Sequence, residues 1–479
     1  MAKGDRITYD LAGVFLPGSA LSATQLTAMA ERLHAIRADI MGDAMEPGDS
    51  SEADPGLSAC DYAFRELPER ILDDYVEHRQ QSDLGRILRT ARRIRDRVDR
   101  IVVVGSQGVL SSIRALLDAC CEPFFNELTR SQRGGRPRML LAGGDLDNDA
   151  VTGLITLLTE GRSPNRLGDR WALLLVDTPA TDLPTQLVGR HLLQALRSFC
   201  RDDSTNLAEL VVRVMTAGHR GGTLDRATGC HHPMRVPGNL DADFRAFSAA
   251  GLLPAAITGM DVVRLLEGAS TANDHFRTAP VGANAALDLV GVNHLWRSMR
   301  PAHACGMRVW STALHATVGW YAQMWRRQMW LAANARQAAG DGRCEASAAL
   351  QAALPAVPAE DILWTEVTVT QCRCDPLMVS SFESDLDGLN TLAGLRQPDL
   401  TTQAIGEILG RSRQNGHPTG VFRLACLNEH TLGQWMQMAM LAVAVEQRLA
   451  LGEISSDRPG TFTGKDAPDF AARFLYEFR

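Results

Sequence analysis

From Leu84 onward the apolar and polar positions switch repeatedly between two periods. Ile87–Val98 spaces its apolar residues every three or four positions among arginines, which predicts an amphipathic basic helix. Arg100–Val104 then runs Ile-Val-Val-Val, a β-branched stretch of the kind buried on both faces of a parallel sheet. Gly105-Ser106-Gln107-Gly108 reads as the turn and Ser111–Cys121 as the next helix. The unit recurs: strand Arg138–Ala142, turn Gly143-Gly144-Asp145, helix Asp149–Leu158; strand Trp171–Val176, loop Asp177–Thr181, helix Gln186–Cys200; strand Leu210–Met215. Short apolar runs alternating with helices predict an α/β fold whose sheet is parallel and doubly wound.

A second series begins near Met307. Arg308–Ala313, Ile362–Val369 and Gly420–Leu427 read as strands, and Gly319–Ala335 and Thr431–Leu451 as helices. Ala339–Pro358, rich in alanine and broken by proline, separates them. Before the first series, Thr24–Ile40 is helical in pattern and Gly42–Gly56 is an acidic loop with Pro, Gly and Ser. The expected organisation is therefore an N-terminal helical and irregular segment (1–84), two α/β domains (85–300 and 301–452) and a C-terminal arm (453–479), expected to be helical.

Charge and composition narrow the function. A formal net charge of −7 argues against a nucleic-acid partner, which calls for a basic face. The Arg92-Arg93-Ile94-Arg95 cluster reads as a solvated helix face beside acidic residues. Met436–Val445 is the longest apolar run and falls short of the roughly 18–20 residues that span a bilayer. With no apolar signal core near Met1, a cytoplasmic protein with no membrane partner is expected, its cysteines reduced. Cys372-Arg373-Cys374 and Cys230-His231-His232 lack the paired spacing of zinc sites. No metal and no organic cofactor is expected.

Ligands of open parallel sheets bind beyond the C-terminal strand ends, where strand order reverses. The turns at Gly105, Gly143 and Asp177 lie there, and the first and third carry hydroxyls before a helix N-terminus, whose free N–H groups suit a phosphate. Three further stretches add an identity to this pattern. They are Asp385-Leu-Asp-Gly-Leu-Asn-Thr-Leu-Ala-Gly394; Val236-Pro237 with Gly251-Leu252-Leu253-Pro254; and Asp457-Arg458-Pro459-Gly460-Thr461-Phe462-Thr463-Gly464-Lys465. Together the chain resembles bacterial glucose-6-phosphate isomerases over about residues 85–300 and 361–479. The resemblance implies sugar-isomerase-type domains, a homodimer, a phosphorylated sugar as ligand, and a place in glycolysis and gluconeogenesis. It marks Gly105, Ser106, Thr178, Thr181 and Arg458 as substrate-binding and Lys465 as catalytic, with the ligand between the domains.

The chemistry that the family requires is poorly matched. Aldose–ketose isomerisation needs a carboxylate base, a cation for the enediolate and a group that assists ring opening. The base position aligns with Ala332, and residues 321–340 contain no carboxylate. The histidine position is Ala349, and the Gly-Gly-Arg triplet is Asp241-Ala242-Asp243, with Arg245 two residues on. In the phosphate loop Val176 replaces serine and Asp177 replaces lysine, and Arg458 stands where the family has glutamine. Three readings follow: a binder of a phosphorylated sugar with weak or no isomerase activity, an active phosphosugar isomerase, and a dimeric scaffold without catalysis.

Overall fold

The computed structural model describes residues 6–17, 20–42, 62–144, 146–176, 182–201, 204–217, 233–238, 240–299, 303–334, 358–455 and 474–478. In chain order the elements are β1 (Thr8–Asp10), α1 (Ala23–Ala28), α2 (Ala30–Gly42), α3 (Leu67–His78), α4 (Asp83–Arg97), β2 (Arg100–Val104), α5 (Gln107–Cys120), β3 (Arg138–Ala142) and α6 (Asn148–Thr159). There follow β4 (Trp171–Val176), α7 (Leu183–Phe199), α8 (Ser204–Leu210), β5 (Val211–Thr216), β6 (Met234–Val236), α9 (Ala249–Thr258), α10 (Val262–Thr278) and α11 (Ala285–Met299). The chain closes with β7 (Ala304–Val309), α12 (Thr312–Asn334), β8 (Ile362–Gln371), α13 (Gln397–Gln414), β9 (Thr419–Cys426), α14 (Glu429–Ser455) and β10 (Phe474–Phe478). They assemble into two compact units, Cys60–Thr271 and Met1–Ala59 with Ala272–Arg479.

In the Cys60–Thr271 unit the sheet order is β3-β2-β4-β5-β6, parallel throughout. The central strands β2 and β4 are buried along their whole length, as their unbroken apolar runs require. Helix α4 begins where Ser82 Oγ accepts the Gly85 N–H at 3.0 Å. Leu84, Ile87, Ala91 and Ile94 form its buried stripe, leaving the arginines outside. At α6 the Asp147 carboxylate caps the helix by accepting the Asp149 and Ala150 N–H groups.

The other unit has the order β1-β9-β8-β7-β10, parallel except for β1, which runs antiparallel to β9. Strand β7 ends at Val309 because α12 starts at Thr312, so it lies earlier than the expected 308–313. In α12, Trp320 and Trp325 are buried in the core. The three-residue strands β1 and β6 carry too few residues to show a pattern of their own. At the chain end, where a helical arm was expected, the described residues 474–478 are strand β10, paired with β7.

The Asp385–Gly394 stretch lies in a segment that is ordered by itself rather than by a core. Asn390 exchanges bonds with both backbone groups of Phe382, and its own N–H donates to Asp385. Gly388 and Gly394 supply left-handed turns at φ 71° and 84°, which only glycine adopts without strain. Leu377, Met378, Phe382, Leu386, Leu389 and Leu395 nevertheless face solvent, Leu386 at 93% exposure.

Candidate functional site

Topology selects one edge of the Cys60–Thr271 unit. From β2 the chain moves outward to β3, then crosses back to β4 on the other side of β2. Strand order reverses between β2 and β4, so the ends of these two strands, at Val104 and Val176, flank the crevice where such sheets bind ligands.

The first turn is built by close backbone packing. The Gly105 N–H donates to Ala142 O at 3.3 Å, and Gly143 at φ 104° lies so near that a Cβ there would stand 2.7 Å from Gly105 O. A Cβ on Gly144 would stand 3.0 Å from Gln107 Oε1. These two glycines let the β3–α6 turn lie directly on residues 105–107. Ser106 occupies the N-cap of α5 in extended conformation, but its side chain makes no capping bond. Among the described residues its Oγ is buried without a hydrogen-bond partner, which leaves the hydroxyl and the free N–H groups of the first helical turn for a ligand. Thr216, at the end of β5, is 4% exposed, and its Oγ1 too has no partner among the described residues.

Negative charge has entered the same edge. Asp243 is 2% exposed, and its carboxylate packs against Gly108 in the first turn of α5, where a Cβ would collide with it. An anion at a helix N-terminus is favoured by the helix dipole. A carboxylate thus stands beside the turn, from the residue that the resemblance aligns with the family's arginine. Arg245 is buried and donates from Nε to Leu240 O at 3.0 Å, anchoring the preceding loop. Asp182 caps α7, accepting Thr185 N–H at 3.2 Å and Thr185 Oγ1 at 2.8 Å.

Of the residues singled out by sequence, Gly105 and Ser106 lie together at the switch point. Thr178, Thr181, Arg458 and Lys465 fall outside the described residues, as do Asp177, Ala349 and Cys230–His232. Ala332 is in the last turn of α12. Cys372 and Cys374 are exposed.

Sequence reasoning missed three buried carboxylates in the second unit, each engaged by its own partners. Glu366, fully buried in β8, accepts Trp310 Nε1 at 2.8 Å and lies 3.2 Å from Arg308, whose guanidinium stacks 3.6 Å over the Trp364 ring. Glu446 accepts Trp325 Nε1 at 2.7 Å and pairs with Arg297. Asp288 accepts the Gly282 N–H at 2.6 Å, and burial pushes its pKa up to about 6 against the backbone bonds that favour its charge. A lone acid within an apolar strand, as at Glu366, was the one signal available. All three acids accept bonds from groups of their own unit.

No protein-family model matches the chain. Similarity to individual proteins is extensive. The glucose-6-phosphate isomerase of Pediococcus pentosaceus is 22% identical over 431 residues, covering 85% of this chain and 88% of that protein. Its counterpart in Bacillus cereus is 23% identical over 396 residues, covering 79% and 81%. The chain is a divergent relative of the glucose-6-phosphate isomerases. Solved structures agree on the fold. A protein of Thermus thermophilus described as hypothetical matches with TM-score 0.67 at 19% identity, covering 93% of this chain and 94% of that one. A glucose-6-phosphate isomerase from Chlamydia trachomatis matches with TM-score 0.64 at 14% identity, covering 94% and 85%. The fold of the isomerases is thus kept in this chain.

Proposed function

We propose that this isomerase relative binds a phosphorylated sugar at the strand ends of the Cys60–Thr271 unit, with weak or no isomerase activity. The observation that carries the proposal is Ser106, a buried hydroxyl without a partner at the N-terminus of α5 and at the switch point of the sheet. Gly105 and Ser106 would line the ligand, with Thr178 and Thr181 supplying hydroxyls, Arg458 a cation, and Lys465 the remaining catalytic-type group. The active-isomerase alternative draws support from relatives that carry that activity in their names across most of the chain. The weaker reading is favoured because alanine cannot abstract a proton and an aspartate cannot stabilise an enediolate.

Calorimetric titration with glucose 6-phosphate and fructose 6-phosphate tests the site. Wild-type protein is expected to bind at least one of them, and Ser106→Ala to weaken that binding by about fivefold, the value of one neutral hydrogen bond. The absence of heat with every sugar phosphate would defeat the proposal and leave the scaffold reading.

The ordered but exposed segment around Phe382 and Leu386 supports assembly as a homodimer, since a fixed apolar surface of this kind is usually covered. Light scattering is expected to give twice the 52.1 kDa chain mass for wild type and a lower mass for Phe382→Asp with Leu386→Asp. A monomeric wild type would contradict the homodimer.

A further inference from the structure

The edge of the Cys60–Thr271 unit opposite Ser106 gathers arginines that are far apart in sequence. Strands β2, β3 and β4 all start there, and α4 ends there. Asp99, 3% exposed, sits at that end and is surrounded by Arg130, Arg133 and Arg138. Arg130 also donates to Arg95 O at 2.7 Å and Val98 O at 2.8 Å, satisfying carbonyls at the end of α4. One carboxylate against three guanidiniums leaves the cluster net positive. It also pins the 128–138 loop against α4.

That pinning sets Arg136 beside Arg95. The Arg136 guanidinium lies over Gly259, the left-handed C-cap of α9, and α9 packs on α4. Arg95 is half-buried; burial lowers its pKa, and the nearby charges of Arg136 and Arg92 lower it further, with Asp96 opposing. Arg92 and Arg93 are exposed on the same helix. Among the described residues, the side chains of Arg92, Arg93, Arg95 and Arg136 have no hydrogen bond or ion pair. Asp96, exposed on α4, is the carboxylate that acts on Arg95, and Asp261 accepts Val263 and Arg264 N–H groups at the start of α10. Helix C-termini account for Arg130 and in part for Arg136. They do not account for Arg92 and Arg95, whose mutual repulsion Asp96 offsets only in part.

We propose that Arg92, Arg95 and Arg136 form a binding site for a small oligophosphate, separate from the sugar-phosphate site. Guanidiniums pair phosphate oxygens in a fixed fork, and several of them at one surface match an anion with more than one phosphate. The site is a compact group at one helix end. A nucleic-acid footprint would run as a basic stripe, on a chain whose net charge is here −7. A bound anion would also relieve the repulsion between Arg95 and its neighbours. The proposal does not rest on Ser106 or on the sugar.

Calorimetric titration of the full chain at low salt, using inorganic phosphate, pyrophosphate and tripolyphosphate, tests it. Affinity should rise with phosphate number, tripolyphosphate binding at least about tenfold more tightly than phosphate. Arg136→Gln and Arg92→Gln should each weaken pyrophosphate binding by about tenfold. Because Arg92 is exposed, its variant tests the site even where a change at Arg136 disturbs packing. Ser106→Ala and the exposed control Arg264→Gln should leave it unchanged. No heat with pyrophosphate or tripolyphosphate, or equal losses in the Arg264 control, would overturn the site. Duplex DNA binding more tightly than tripolyphosphate would replace it with a general polyanion surface.

Discussion

Replacing Glu446 with alanine is expected to destabilise the protein by about 3–5 kcal/mol, the usual cost of stranding one member of a buried ion pair. Glu446 is 2% exposed on α14 and Arg297 is 7% exposed on α11. The two pair directly, while Trp325 Nε1 donates to the same carboxylate and the Arg297 guanidinium lies 5.2 Å from the Trp325 ring centroid. Removing the carboxylate leaves a guanidinium out of water and an indole N–H without its acceptor. Glu446→Gln keeps an acceptor for the indole and should cost less. The double replacement Glu446→Leu with Arg297→Met removes both charges and should recover most of the loss, since apolar substitutes of similar volume often match a buried pair. Urea unfolding of the three variants measures this. A Glu446→Ala protein within about 0.5 kcal/mol of wild type would show that water reaches the pair.

Where the chain announces itself by local pattern, the sequence reading and the structure coincide. Strands β2, β3 and β4 have the expected bounds because each is an unbroken apolar run between a helix end and a turn. Strand β7 was misplaced by four residues because Trp310 suits a strand by type, while the end of the strand is decided by the start of α12 and by the Trp310 bond to Glu366. The three-residue strands β1 and β6 owe their existence to β9 and β5, partners that local pattern does not reveal.

The candidate site was legible to the same degree. Gly105 and Ser106 are a turn between strand and helix, which sequence can locate. That Ser106 forgoes its capping bond, and that Asp243 reaches the first turn of α5 from about 135 residues away in the chain, depends on packing between elements. The arginine cluster shows the same limit. Arg92–Arg95 looked like an ordinary solvated helix face until the Asp99 network brought Arg136 beside it. Charge read along one helix says little about charge gathered from two segments.

The purified protein is expected to interconvert glucose 6-phosphate and fructose 6-phosphate at least about a thousandfold more slowly than an ordinary enzyme of this kind. The resemblance puts the base at Ala332, the cation at Asp243 and the ring-opening histidine at Ala349, and each such group typically supplies about two to four powers of ten. Groups acting together do not lose rate additively, so about a thousandfold is a floor for the combined effect. The buried acids of the second unit, Glu366, Glu446 and Asp288, are already engaged by Trp310, Trp325 and Gly282. The decisive measurement is a coupled spectroscopic assay that follows glucose 6-phosphate formed from fructose 6-phosphate by wild-type protein. Turnover at or below about one event per minute is the predicted result. A rate of about ten per second or more, the range of ordinary enzymes, would contradict the claim that this chain keeps the isomerase scaffold without its chemistry.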